Sequence, residues 1–203
     1  ERANESRREM EAVNVKLLKQ SETDQMTGLA NRYRLNAYSE KVLDYCYEHR
    51  LPLAMEILDI DFFKQYNDNY GHQQGDECII AIANELKKME DGQTFCARYG
   101  GDEFIIIYAG ISAEEVHAKA GALRQNIMNL KLEHLYSKAL PIVTISQGIS
   151  YGVPEEGNRS WDFLHTADML LYQVKKKSRN DICIADIRGQ ELDLSSKQEK
   201  VEP

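Results

Sequence analysis

The sequence predicts an α+β fold, in which one mainly antiparallel sheet is flanked by helices. Three observations support this prediction. Apolar residues recur at helical spacing in four segments, short apolar runs of strand length lie between them, and a compact glycine turn joins two of those runs. The resulting order is helix, strand, helix, strand-turn-strand, helix, strand, helix, strand. This order alone does not name a function, so the function must be inferred from individual side chains.

Length and composition exclude several classes of protein. A chain of 203 residues can form one domain with an appendage, and its 42% hydrophobic and 29% charged residues are typical of a globular protein. A net charge of −8 disfavours binding to nucleic-acid backbones. No apolar run approaches the roughly 20 residues of a membrane span, and there is no signal-peptide pattern. The four cysteines lack metal-ligand spacing, which indicates free thiols in a reducing cytoplasm. Membrane anchoring through an upstream region remains open.

Residues 1–20 are predicted to form the end of a helix. Ala3, Met10 and Leu17 repeat every seven residues, and Val13 falls between them at a d-like position. Two interpretations stay open: a two-stranded coiled coil entering from an upstream module, or a solvated helix packed on its own domain. We expect an N-terminal helix over 1–20, a folded domain over 21–186 and a polar tail over 187–203.

The first half of the domain predicts two helices around a buried strand. Asn31 is a favourable N-cap for a helix with apolar positions Leu35, Tyr38, Val42 and Tyr45. The apolar run Leu53–Ile60 is predicted to be a central strand with the acids Asp59 and Asp61 at its tip. After a short helix and loop, Asp76 is a candidate cap for a helix with the apolar stripe Ile79, Ile82, Leu86 and Met89.

The second half predicts a hairpin followed by alternating helices and strands. Strands over 94–98 and 103–108 flank the turn YGGD at 99–102. Ser112 and Glu115 form a capping box for the next helix. A strand over 141–150, a helix over 160–177 and a short strand over 181–185 complete the domain.

Three acids are candidate metal ligands: Asp59, Asp102 and Glu103. Each lies beside an apolar strand or in a turn, and a carboxylate buried there needs a partner because burying a lone charge is costly. Mg²⁺ is one such partner, since it takes carboxylates together with substrate phosphates, and two ions about 4 Å apart can clamp a phosphoryl transfer. The alternative is that these are surface turn acids without a ligand.

Four basic residues are candidates for binding a triphosphate. Lys175 and Arg179 lie four residues apart, hence on one helical face if the helix extends that far, and Lys64 and Arg98 could add countercharge. The alternative for the lysine run at 175–177 is an ordinary solvated helix end.

Asn67 and Asp76 have the chemistry to bind the edge of a guanine base. A carboxylate accepts hydrogen bonds from the N1–H and the exocyclic amine, and an amide can bond the acceptor atoms of the base. The alternatives are that Asn67 is a turn residue and that Asp76 is a helix cap.

Four segments, in this order, resemble the signatures of GGDEF-domain diguanylate cyclases. DQMTGLANR at 24–32 resembles DxLTGLxNR. DIDFFK at 59–64, with ND at 67–68, GH at 71–72 and GD at 75–76, resembles DxDxFKxxND…GHxxGD. RYGGDEF at 98–104 resembles the signature itself, and LYQVKKKSRN at 171–180 resembles LYxAKxxGRN. One match would be weak, whereas four together are specific.

The resemblance implies a fold similar to nucleotidyl cyclases and polymerase palms, and a reaction that joins two GTP molecules into cyclic di-GMP. It implies that Mg²⁺ (or Mn²⁺) is held by Asp59, the Ile60 carbonyl and Asp102. Glu103 would bind metal or help deprotonate the attacking 3′-hydroxyl. Guanine would be read by Asn67 and Asp76, and phosphates held by Lys64, Arg98, Lys175 and Arg179. A homodimer would be needed, because each domain holds one GTP.

The chain also departs from the family pattern. Met26 and Ser178 replace a usual Leu and Gly, and neither change removes a functional group. Many relatives carry an RxxD product-inhibition motif before the signature, whereas here the corresponding residues are Asp91 and Thr94. One rival hypothesis is a catalytically silent module that senses GTP or cyclic di-GMP or docks a partner, and the retained acids disfavour it. A second is a cyclase with a different base preference, which Asp76 disfavours because a carboxylate suits guanine and would repel the acceptor edge of adenine.

Overall fold

The computed structural model describes residues 22–190 together with residues 17, 192 and 194. Its helices are α1 (Arg32–His49), α2 (Phe63–Tyr70), α3 (His72–Met89), α4 (Ala113–Asn129) and α5 (Ser160–Lys177). Its strands are β1 (Leu53–Ile60), β2 (Thr94–Gly100), β3 (Glu103–Ala109), β4 (Ile145–Gly152) and β5 (Ile182–Asp186). The predicted helix over 1–20 lies outside the described residues, Leu17 excepted, as does most of the predicted tail.

The five strands form one sheet in the order β2-β3-β1-β4-β5. The pairs β2–β3, β3–β1 and β1–β4 are antiparallel, and β4–β5 is parallel. The prediction of a mainly antiparallel sheet flanked by helices is therefore confirmed. None of the helices in the described part of the chain combines the length and hydropathy needed to span a bilayer.

Helices cover both faces of the sheet, and β1 lies in the middle. All eight residues of β1 are buried. Because successive side chains of a strand point to opposite faces, Ala54 and Leu58 pack with α3 and α4, whereas Leu53 and Met55 pack with α1 and α5. Burial on both faces explains why β1 appears in the sequence as a continuous apolar run.

Two predicted helix starts are confirmed and one is wrong. The Asn31 side chain accepts a hydrogen bond from the Arg34 amide, and Ser112 and Glu115 form a complete capping box. Asp76 is not a cap, because α3 begins at His72, directly after Gly71. Gly71, with φ of +87°, makes a turn so abrupt that α3 starts a full helical turn before Asp76.

The strand predicted over 141–150 begins later, at Ile145. Pro141 has no amide hydrogen to donate to a strand, and Ile142 makes only an isolated bridge to Glu133. Residues 130–144 therefore form a long loop between α4 and β4, and this loop contacts the site described next.

Candidate functional site

The three predicted acids converge at one end of the sheet. Antiparallel pairing places Asp59, near the end of β1, opposite Glu103 at the start of β3. The turn between β2 and β3 contains Gly101, with φ of +52°, followed by Asp102. This pairing explains how residues far apart in the sequence meet at one site.

The acids outnumber the cations beside them. Asp59 is only 8% exposed, and its Oδ2 lies 2.8 Å from Lys175 Nζ. Burial nevertheless raises the pKa of Asp59 to about 6, with the charges of Asp102 and Glu103 adding to the effect and Lys175 opposing it. Burial also raises the pKa of Glu103; Lys175 opposes the shift, and Asp102 and Asp168 add to it. A cluster with this excess of negative charge suits a further cation.

The donor set suits an ion that arrives with a polyphosphate. Within the described residues, no three His, Cys, Asp or Glu side chains form a complete metal cage. Mg²⁺ does not need one, because it commonly takes one or two carboxylates and completes its shell with phosphate oxygens and water. Asp59, Asp102 and Glu103 offer hard oxygen donors of this kind, and Ile60 ends β1 beside Asp59.

Asp61 anchors the segment that follows β1. It is fully buried, and its carboxylate accepts hydrogen bonds from Thr144 Oγ1 (2.8 Å), Ser146 Oγ (2.6 Å) and the Asn180 amide (2.9 Å). Arg179 Nη1 lies 3.5 Å from the same carboxylate. With these four partners, Asp61 fixes the backbone next to the site.

Lys175 and Arg179 approach the site in different ways from those predicted. The helix does not extend far enough to place them on one face, because α5 ends at Lys177 and Arg179 follows with φ of +53°. They still converge, since Lys175 pairs with Asp59 and the Arg179 guanidinium lies 4.2 Å from the centre of the Phe62 ring. Their role as phosphate ligands stays a prediction.

Arg98 stabilises the turn of the hairpin. Its guanidinium donates to the Gly101 carbonyl at 2.8 and 3.2 Å and to Asp24 Oδ1 at 3.2 Å. Burial tends to raise the pKa of Asp24, but hydrogen bonds from Thr27 and the charge of Arg98 lower it below its usual value. The structure thus gives Arg98 a clear structural role that links two family signatures. The predicted phosphate role of Arg98, and that of the exposed Lys64 in α2, stay predictions.

Asn67 and Asp76 lie on either side of a close contact between α2 and α3. A Cβ atom on Gly75 would come within 1.8 Å of Asn67 Oδ1, so only glycine allows this approach. Asn67 Oδ1 is buried and accepts no hydrogen bond from the described residues, and Asp76 is exposed one residue beyond Gly75. A half-buried amide beside a free-standing carboxylate fits the polar edge of a base.

Sequence reasoning missed two residues beside the site. Phe62 has φ of +56° and immediately precedes α2. The amides in the first turn of a helix have no hydrogen-bond acceptor within that helix. His134, in the loop 130–144, is fully buried against the same segment. The double Phe directly after DID could have indicated an abrupt strand-to-helix turn. A lone histidine in a polar loop carried no signal.

Open clefts flank Glu103 on the side of α5. One, of about 290 Å³, is lined by Glu103, Asp168 and Tyr172 among others, and a second, of about 330 Å³, by Glu103, Asp168 and Trp161 among others. A third cleft, between α4, α5 and β5, lies away from the acids. Glu103 is therefore reachable from outside the domain.

Comparisons with known proteins identify the family. Residues 21–181 match the family model described as "Diguanylate cyclase, GGDEF domain". The chain is 35% identical over 163 residues to the probable diguanylate cyclase DgcC of Escherichia coli, covering 79% of this chain and 42% of that protein. It is 34% identical over 164 residues to the diguanylate cyclase DgcP of Pseudomonas aeruginosa, covering 80% of this chain and 24% of that protein.

A solved structure agrees with these matches. The coiled coil and GGDEF domain of DgcB from Caulobacter crescentus, in complex with c-di-GMP, superposes with a TM-score of 0.80 at 28% identity, covering 91% of this chain and 97% of that one. The chain spans less than half the length of the two curated relatives. The sequence matches, the shared fold and the gathered signature residues lead to one conclusion: this chain belongs to the GGDEF-domain family of diguanylate cyclases.

Proposed function

We propose that this domain condenses two GTP molecules into cyclic di-GMP and releases two pyrophosphates. The observation that carries the proposal is the excess of negative charge at Asp59, which is buried beside Asp102 and Glu103 with Lys175 at 2.8 Å. A site that needs a divalent cation and places cationic side chains around it suits a nucleoside triphosphate.

The residues of the chain divide the work of the reaction. Asn67 and Asp76 bind the guanine edge, and Lys175 and Arg179 neutralise phosphate charge by exchanging their present partners Asp59 and Asp61 for phosphate oxygens. Glu103 accepts the proton of the attacking 3′-hydroxyl, for which a pKa raised by burial is appropriate.

Asp59, Asp102 and the Ile60 carbonyl would hold Mg²⁺ or Mn²⁺. When bound, the ion would supply charge neutralisation at the α-phosphate and the leaving pyrophosphate. The protein's part is to hold hard oxygen donors at the end of β1 and in the hairpin turn.

The proposed reaction needs two domains. One domain has one guanine-reading pair, so the second GTP, whose 3′-hydroxyl attacks, must come from a facing copy of the chain. The open clefts beside Glu103 leave room for that approach. A homodimer is thus part of the proposal.

The decisive experiment is product identification. The purified chain is incubated with GTP and Mg²⁺, and the products are identified by mass spectrometry, with Asp102→Asn as a control that preserves side-chain size. Cyclic di-GMP and pyrophosphate from the unmodified chain, and neither from the variant, are expected. GTP binding without product would support the silent sensing module instead.

A further inference from the structure

His134, in the loop 130–144, has a fully buried side chain beside the candidate site. His134 is 0% exposed, and its Nε2 lies 3.1 Å from the carbonyl oxygen of Phe62. The backbone of His134 is itself held, because its amide donates to the Pro141 carbonyl at 3.0 Å. The His134 ring therefore links this loop to the segment that follows β1.

Hydrogen bonding settles which ring nitrogen carries the proton. A carbonyl oxygen can only accept, so Nε2 donates to Phe62. Nδ1 is buried and has no partner among the described residues, so a second proton there would be left unbonded. Burial also lowers the pKa of His134, although the bond to Phe62 and the charge of Asp61 oppose the shift. The side chain is a neutral donor.

Aromatic neighbours hold the ring in this orientation. His134 packs edge-on against Tyr66, with ring centres 5.1 Å apart, and against Tyr70 at 6.3 Å. The Tyr70 hydroxyl accepts a hydrogen bond from the Leu135 amide at 3.0 Å. Because both tyrosines belong to α2, the loop and this helix are fastened together at several points.

His134 binds the carbonyl of a residue whose backbone conformation must be stabilised by its neighbours. Phe62 has φ of +56°, a left-handed conformation that is rare for bulky residues. Its carbonyl accepts from the Tyr66 amide at 3.0 Å as well as from His134, and its ring lies beneath the Arg179 guanidinium. This one residue connects Asp61 to the first turn of α2, so its conformation sets where that helix points.

We propose that His134 is a positioning residue: it holds Phe62 in the left-handed conformation and so fixes the Phe62 ring under the Arg179 guanidinium, the group that binds the anionic part of the substrate. That the anion is the triphosphate of GTP rests on the function proposed above. Asn67 lies on the same helix, but its side chain packs against Gly75 of α3, and Asp76 belongs to α3 itself, so we expect the guanine-reading pair to be affected less than the phosphates. Loss of the hydrogen bond should thus weaken phosphate binding and spare guanosine.

Three variants separate the hydrogen bond from packing. His134→Phe keeps an aromatic ring against Tyr66 but removes the donor, and His134→Gln keeps a donor. His117→Phe is the matched control, because His117 is exposed on α4. Binding of guanosine and of a GTP analogue with an α,β-methylene bridge, which cannot be turned over, is measured with Mg²⁺ by calorimetry or NMR titration. Thermal unfolding is recorded for each variant.

We expect His134→Phe to lose about tenfold in affinity for the analogue, the scale of one lost hydrogen bond, while guanosine affinity changes less than twofold. His134→Gln should recover most of the loss, and His117→Phe should match the unmodified chain. Equal losses for both ligands, or an unchanged analogue affinity in His134→Phe, would overturn the inference. If His134→Phe does not fold, His134→Gln decides the question. Should its affinity for the analogue fall as far as its affinity for guanosine, the inference would be overturned equally. An unmodified chain that does not bind the analogue would instead refute the proposed function.

Discussion

Asp59 and Glu103 both lie close to the Lys175 ammonium group. Because negative charge exceeds positive charge here, replacing one carboxylate tests what that charge contributes. Glu103→Gln keeps the size of the side chain and removes one negative charge next to Asp59. Turnover of GTP should fall on the order of a thousandfold, because the group that accepts the proton of the attacking 3′-hydroxyl is lost. Thermal stability should not decrease, since the variant relieves repulsion. Turnover close to that of the unmodified chain, measured by quantifying cyclic di-GMP, would contradict the assignment.

Asp76 tests the guanine-reading pair. It is exposed and caps no helix, so Asp76→Ala should leave the fold unchanged. A site built to pair a hydrogen-bonding edge loses discrimination when one partner is removed, so GTP affinity should fall by roughly tenfold and ATP affinity much less. Asp68→Ala, an exposed acid on α2, is the control. Equal losses for both nucleotides would show that Asp76 does not read the base.

Sequence reasoning found the acids of the candidate site but not the contacts that position its residues. Asp59, Asp102 and Glu103 carry their own signal, because acids beside apolar runs require an explanation. Gly75 and His134 act through contacts across elements: with Asn67 in one case and with the Phe62 carbonyl in the other. Such contacts appear only when the chain is folded.

At the scale of the elements, a buried polar network joins β1, β3, β4 and α4. The Glu56 carboxylate accepts from Tyr108 Oη (2.8 Å) and Gln147 Nε2 (2.7 Å), and the same Gln147 amide donates to the Ala120 carbonyl (3.2 Å). Burial raises the pKa of Glu56 from 4.5 to about 7, although both hydrogen bonds oppose the shift. The sheet thus contains an acid whose ionisation opposes folding.

This network predicts how stability depends on pH. Between pH 4.5 and 7 the folded state keeps a proton on Glu56 that the unfolded chain has released, so the free energy of unfolding falls as pH rises through this window. Glu56→Gln should remove about 3 kcal/mol of that fall. Denaturant titrations of both proteins across the window measure the free energy of unfolding at each pH. The similar contribution of Asp59 is present in both proteins and cancels in their difference. Parallel pH curves would show that Glu56 does not titrate there.

The elements themselves were largely predictable. The bounds predicted for β1 and α5 match the structure, because an unbroken apolar run and a long helical stripe leave few alternatives. The errors fall at the junctions between elements. The helix α3 begins earlier than predicted, directly after Gly71, and β4 begins later than predicted, after the loop 130–144. Local propensity does not determine such junctions, since tertiary packing does.

At the scale of the whole molecule, the surface at the missing RxxD motif predicts how product acts. Asp91 stands where the family motif has Arg, and its carboxylate pairs with Lys119 Nζ at 2.9 Å, which also binds Thr94 Oγ1 at 2.9 Å. With Lys119 engaged by Asp91 and Thr94, this surface is poorly suited to phosphate. Cyclic di-GMP should inhibit only by competing with GTP. Inhibition that persists at saturating GTP would refute this expectation.

The last prediction concerns assembly. The proposed reaction joins two nucleotides held by two copies of the domain, so the rate per chain depends on how often two sites face each other. Specific activity should therefore rise with protein concentration below the dimer dissociation constant and reach a plateau above it. A strong parallel coiled coil fused before Glu1 should keep activity high on dilution, because the second domain is then present at an effective concentration in the millimolar range.

A fusion that carries a monomeric helix of equal length is the control for this experiment, since it adds mass without pairing the domains. The two fusions should have the same activity at high concentration and separate on dilution. Light scattering at each concentration assigns the oligomeric state. Undiminished activity from a species shown to be monomeric would contradict the two-domain mechanism even if cyclic di-GMP is the product, because a single guanine-reading pair, Asn67 with Asp76, would then have to serve both substrates in turn.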